Sequence, residues 1–290
     1  MLMAIECNNL IKAEAGLPSK KTMQSDSSDN KFTTANFMLV SNEVLNFQLG
    51  ALYPVRAEKE PMRINLLFLN HDRNFSSFLT IKYLVEHQRV ADIYTLSRSM
   101  FESIISMGLL AKNLVANDIE RYKEFQYLEI YKNYAHLMKL GLERLSGFTV
   151  SDAQVISDRR SDYVRKWGRK ESSWTGRSLE DNVKTVDGAY PPTYNESHFY
   201  EYLYCQVYRK GSPSTHSSFA GLSAGVNVES IFLPGAAAKR FTVNEGHLIF
   251  SCFHSLLVFL SSVRFLGLVT GKTECETYFQ KMANYVISQN

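Results

Sequence analysis

The sequence has no CxxC pair; its four cysteines, Cys7, Cys205, Cys252 and Cys275, lie far apart. That usage excludes a disulfide framework and a zinc finger, and it suits a reducing compartment, the cytoplasm. There is no HExxH, no GxxxxGK[ST] and no GxGxxG. A helical metalloprotease site, a phosphate-cradling glycine loop and a dinucleotide fold therefore drop out. No strand–turn–helix pattern offers the elbow that a serine hydrolase needs. His247 and His254 stand two helical turns apart with no carboxylate on their face except Glu245, so no metal and no cofactor are expected. Charge of one sign is also missing. At +3 the net charge implies no strong field toward nucleic acid or membrane.

Long apolar runs are nearly absent too. One stands out, Leu248 to Val269, but it contains His254, Arg264, Ser251, Ser255, Ser261 and Ser262. A membrane span seldom tolerates an unpaired arginine, so a buried core helix is the reading, with no membrane partner. The opening Met1-Leu2-Met3-Ala4-Ile5-Glu6 carries an early acid and does not read as a signal peptide.

What the chain does have is helical period. Residues 1–32 are polar and aperiodic around Ser25-Asp26-Ser27-Ser28-Asp29-Asn30 and read as a flexible N-terminal segment. From Thr33-Thr34 onward, 33–290 reads as a single helical domain. Phe37, Val40, Val44 and Phe47 share one helical face, and Pro61 opens a second helix with a break expected at Asn70–Asn74. Leu96, Met100, Ile104 and Met107 stripe a third helix from about Val90. Asp118 caps a fourth, rich in tyrosine, that runs to about Leu145. Ser151-Asp152 starts another, and Asp158–Asp162 reads as a mixed-charge exposed turn. Ser178 opens a short helix, and a Tyr-rich one runs from about Glu196 to Arg209. Alternation and β-branching over 226–243, split by Pro234-Gly235, predict a small β-hairpin. Asn244 then caps the apolar helix, and Glu274–Ser288 is the last. The fold class is mostly α, a multi-helix bundle with that one hairpin.

The chemistry-bearing segment is Tyr208-Arg209-Lys210-Gly211-Ser212-Pro213-Ser214-Thr215-His216. Gly-Ser-Pro is expected to break the helix, with His216 in the first turn of a new one. A guanidinium grips phosphate at any physiological pH, and an imidazole trades a proton near neutrality. Arg209 and His216 at a helix junction therefore suit attack of a ribose 2′-OH on its phosphodiester, without metal. The plainer reading is a histidine that hydrogen-bonds its own turn. Arg98 and Glu102, four apart, share a helix face as a structural pair or as the lining of a polar pocket. Arg165, Trp167, Arg169 and Trp174, with Arg159, Arg160, Lys166, Lys170 and Arg177, form a basic, aromatic stretch suited to single-stranded RNA, or else a solvated helix face with a tryptophan turned inward.

Arg98 with Glu102, Trp174 before Ser178-Leu179, and Tyr208-Arg209 with Ser212 and His216 together resemble an uncharacterised bacterial family of helical proteins carrying Tyr-Arg-x-x-Ser-x-x-x-His. The Arg–His pair is also similar to the signature of the HEPN superfamily, whose members are helical bundles, usually dimers, and often toxins or antiviral RNases. That resemblance implies Arg209 and His216 as the catalytic pair, Arg98, Glu102 and Ser212 as supporting polar residues, and a composite site across a homodimer. Lys210 stands where many HEPN nucleases have an uncharged polar residue. Some HEPN-like domains only bind RNA or a protein partner, so a non-catalytic interaction or sensor module is the competing expectation.

Overall fold

The computed structural model describes residues 32–52, 61–168, 173–193, 198–215 and 244–288. Phe32–Asn290 forms one unit, and Met1–Lys31, the segment expected to be flexible, lies outside the described residues. Among the described residues the chain is helical and contains no β-strand. The predicted hairpin at 226–243 lies outside them.

Helix α1, Thr34–Ala51, starts where Thr33 accepts a hydrogen bond from the Asn36 N–H, and it buries Phe37, Val40, Val44 and Leu45. Helix α2, Pro61–Glu86, begins with proline in its first turn, where a missing N–H costs nothing. It runs through Asn70–Asn74 without the expected break. The reason is that Asn70, His71 and Asn74 point inward to partners, while Asp72 and Arg73 stay on the exposed face. His71, fully buried, bonds Gln48 of α1 at 2.7 Å and Ser262 at 3.1 Å. Asn70 donates to the Leu66 carbonyl one turn back at 2.8 Å. Helix α3, Val90–Ala111, buries Met100, Phe101, Ile104 and Met107.

Helix α4, Asp118–Lys139, and helix α5, Val150–Trp167, pack on each other as a hairpin joined through a 3₁₀ turn at Glu143–Ser146. Two expectations are corrected here. The fourth helix stops at Lys139 rather than near 145, where Leu140 ends it and Gly141 takes φ +69. The charged stretch 158–162 is mid-helix rather than a turn. A capping box between Thr149 and Asp152 starts α5, and alternating charge is compatible with an exposed helical face. Where α4 begins, Asp118 pairs with Arg63 of α2; both side chains are nearly buried.

Helix α6, Leu179–Ala189, is capped by Ser178. Helix α7, Phe199–Leu203, continues into a π-helical turn, Tyr204–Arg209, and then helix α8, Lys210–Thr215. Helix α9, Glu245–Val269, is capped by Asn244 and buried almost all round, with α1, α2, α3 and α10, Thr273–Ser288, packed on it. By length and composition α9 could cross a membrane, but 89% of its apolar window is buried in the fold. Its Arg264 is fully buried and fully engaged: Nε and Nη2 donate to Glu276 at 2.7 and 2.8 Å, and Nη1 to the Tyr200 hydroxyl at 3.3 Å. That pairing is what lets a charge sit inside the central core helix.

Candidate functional site: a polar cleft beside a π-distorted helix

The helix expected to end at about Arg209, before Gly-Ser-Pro, continues to Thr215 with Pro213 inside it. Two local causes explain this. In α geometry the Pro213 ring would meet the carbonyl four residues back, that of Arg209. Arg209 is the last residue of the π turn, so the wider i→i+5 helix directly precedes the turn that holds the proline. Gly211, which looks like a breaker, serves close approach instead. A Cβ there would stand 3.1 Å from the Tyr94 carbonyl and 3.3 Å from Arg98 Cβ, so α8 lies directly against α3.

The π turn brings Tyr204 and Tyr208 into a parallel stack, with ring centroids 5.3 Å apart and planes within 13°. Each ring carries a guanidinium. Arg98 Cζ lies 4.3 Å from the Tyr208 centroid, and Arg98 Nη2 donates to the Tyr208 hydroxyl at 3.2 Å. Arg209 Cζ lies 5.1 Å from the Tyr204 centroid. Each guanidinium also meets a carboxylate: Arg98 with Glu102 at 3.5 Å, Arg209 with Glu180 at 3.3 Å. The hydrogen bond from Lys184, and then Arg209, hold the Glu180 carboxyl below its ordinary range, so it stays ionised. Three of the sequence-predicted residues, Arg98, Glu102 and Arg209, are thus joined through two tyrosines. Ser212 is half-buried on α8, and His216 lies outside the described residues.

Tyr208 and Glu102 also line a cleft of about 610 Å³. The α3 face Ser99, Glu102, Ser103 and Ser106 borders it together with α2, α4 and the 173–182 segment. Asn70 accepts from Ser103 and from Tyr122 at 3.1 and 3.2 Å. Trp174 donates to Ser106 at 3.2 Å and packs edge-on to Tyr122. Arg73 and Arg177 line the cleft with only hydroxyl partners, Ser99 at 3.1 Å and Thr185 at 3.4 Å; neither makes an ion pair among the described residues. Sequence reasoning missed Arg73, and it counted Arg177 only within the basic, aromatic stretch, not with Arg98 and Glu102. Nothing in their spacing marks them, because α2 and the loop before α6 meet only in the fold.

The other predicted RNA-contacting residues sit elsewhere, except Trp174, which is buried as a wall of the cleft. Arg165 is exposed and pairs with Asp162 at 2.8 Å. Trp167 donates to Glu124 at 2.9 Å on the α4–α5 hairpin, and Arg169 lies outside the described residues. Gly221-Leu222-Ser223-Ala224-Gly225, a Gly-x-Ser-x-Gly spelling that the sequence reading passed over, also lies outside them.

Among the described residues, Asp187, His198 and Glu201 gather their donor atoms within 4.8 Å of one another. Asp187 accepts the Tyr200 and Glu201 N–H groups, both at 2.8 Å, and His198 bonds Glu201 at 2.8 Å. The group works as the N-terminal cap of α7. His254 is buried, donates Nδ1–H to the Phe250 carbonyl at 2.7 Å and accepts from Tyr202 at 2.8 Å. Burial holds it neutral, with its pKa lowered to about 4.

A model of a family of unknown function, DUF5677, matches residues 65–230. The chain belongs to that family. Every residue lining the cleft, from Asn70 to Tyr208, falls inside the DUF5677 segment, as do Arg209 and His216. Helices α1, α9 and α10 lie outside it. No curated protein and no solved structure matches the chain.

Proposed function

We propose that the protein is a HEPN-like, metal-independent endoribonuclease of the cytoplasm, serving in phage defence or as a toxin. One observation carries the reading. Tyr208, directly before Arg209, lines a polar cleft that also holds two arginines without ion-pair partners. RNA in that cleft would bring a phosphodiester to Arg209, from which the chain runs on to His216. In the proposed chemistry His216 takes the proton of a ribose 2′-OH, whose oxygen attacks the adjacent phosphorus. The 5′-oxygen leaves and takes a proton from water, and His216 gives its own back to solvent, leaving a 2′,3′-cyclic phosphate and a 5′-OH. Arg209 steadies the charge of the pentavalent phosphate. It must exchange Glu180 for substrate, which is inexpensive because the pair is exposed. Arg98 and Glu102 hold the stack that positions Tyr208. The test is RNA cleavage by purified protein in EDTA. His216→Ala and Arg209→Ala should each lose about 10²–10⁴-fold; rates equal to wild type would remove the proposal.

A second reading has an observation of its own. Met138, Leu140, Leu145, Phe148, Val150 and Val155 are exposed around the end of the α4–α5 hairpin. Such a grouping favours a non-catalytic module that docks a second copy of the chain. Leu145→Glu with Val150→Glu should then convert a dimer to a monomer in sedimentation. An unchanged mass would count against this reading.

A further inference from the structure

We infer that the cleft is a nucleotide seat that holds one unpaired nucleotide of an RNA strand, with its phosphate on Arg73 and Arg177. The inference rests on the ribonuclease reading for the identity of the strand, but the seat itself is argued from its lining.

Three features set the ligand's chemistry. First, Arg73 and Arg177 come from different elements into one cleft; among the described residues neither is within ion-pair distance of a carboxylate, although the charge of Asp181, on the next turn from Arg177, acts on Arg177. Guanidinium groups keep their charge at all working pH and grip phosphate by forked hydrogen bonds. The cleft's own acids do not neutralise them: Glu102 is held by Arg98, and Glu129 is exposed. Second, Asn182 lines the cleft at 4% exposure; its Nδ2 donates to Thr175 at 2.9 Å, and its Oδ1 has no partner. A buried acceptor left unmatched is costly, so a ligand that brings an N–H or O–H donor is favoured. Third, Tyr122 and Phe125 are half-buried aromatics on the lining, able to contact a flat ring, while Tyr208, already stacked with Tyr204 and Arg98, borders them. A simple anion would use only the first feature and a sugar only the second. A nucleotide uses all three, and 610 Å³ is within the range of about 300–1,000 Å³ for small-ligand sites. With the base beside Tyr208, the next phosphodiester of the strand falls at Arg209.

The test is fluorescence anisotropy of a labelled single-stranded RNA octamer on the full-length His216→Ala protein, which removes cleavage from the measurement. Arg73→Ala and Arg177→Ala should each weaken binding about tenfold, the equivalent of about 1.4 kcal/mol. Arg73→Lys should recover only part, and Lys281→Ala, exposed on α10, should change nothing. Both substituted cleft arginines are exposed, so thermal melts should match the parent. Unchanged affinity in Arg73→Ala and Arg177→Ala overturns the seat. So does competition by inorganic phosphate alone at the octamer's own affinity. Competition by adenosine monophosphate at that affinity assigns the cleft to a free nucleotide and overturns the strand. The two readings fail separately: cleavage that survives Arg73→Ala and Arg177→Ala sinks the seat and spares the nuclease. Arginine-dependent binding with no cleavage by the wild-type chain does the reverse.

Discussion

Replacing Glu276 with alanine should cost more stability than removing the arginine it holds. Arg264 has no exposed side-chain area, while Glu276 is 39% exposed. The guanidinium lies between the rings of Tyr190 and Phe279, 5.2 and 4.5 Å from their centroids, and also donates to the Pro191 carbonyl at 3.3 Å. It cannot escape by losing its proton. Glu276→Ala therefore leaves a buried, unpaired cation, at a cost of about 3–5 kcal/mol. That is a large share of the roughly 5–15 kcal/mol by which such folds are stable. Arg264→Met leaves a carboxylate that water can reach. Its cost is the lost ring contacts and the unmatched Pro191 carbonyl, about 1–3 kcal/mol. In Arg264→Met/Glu276→Ala the damage should fall back to about the single Arg264→Met value, because no buried charge remains. Urea unfolding followed by far-ultraviolet circular dichroism measures all three. Additive costs, or Glu276→Ala below about 1 kcal/mol, would refute the reasoning.

Burial lowers the pKa of both His71 and His254 to about 4, so the unfolded chain binds more protons than the folded one between about pH 6.5 and 4. Each should contribute stability that is present above pH 6.5 and lost on acidification, at about 1.4 kcal/mol per pH unit. A urea midpoint flat from pH 7 to 5 would contradict this. Gly267→Ala should destabilise by about 1–3 kcal/mol, since its Cβ would sit 2.2 Å from Cys275 Cβ where α9 turns into α10. An unchanged melting temperature would argue against that packing. Arg98→Met should loosen the Tyr204–Tyr208 stack and lower ribonuclease activity at least tenfold with little change in melting temperature; unchanged activity would separate the stack from the site.

Helix periods were legible wherever a face is apolar. The stripe Leu96, Met100, Ile104, Met107 gave α3, and Asn244 gave the start of α9. The break expected at Asn70–Asn74 misled because polar residues usually face water. Here they bond to α1, α3, α4 and α9, contacts visible only in three dimensions. Gly211 and Pro213 misled for a related reason. Breaker chemistry was read from local propensity, but close packing on α3 and the π turn decide that segment. At the site, Arg98 with Glu102 was legible as an i, i+4 pair, and Arg209 as a candidate ligand of phosphate. Arg73 and Asn182 were not, and Arg177 was legible only as part of a basic stretch, because separate elements carry them to the cleft.

The central claim is attack by a 2′-OH without metal, and the ends of the cleaved RNA test it most directly. Wild-type protein incubated in EDTA with a defined single-stranded RNA should yield 2′,3′-cyclic phosphate and 5′-OH termini. A 2′-deoxy substitution at the cleaved nucleotide should abolish the cut, as should His216→Ala. Cleavage that proceeds through the 2′-deoxy position, or that leaves a 5′-phosphate and a 3′-OH, would contradict the account, as would intact RNA.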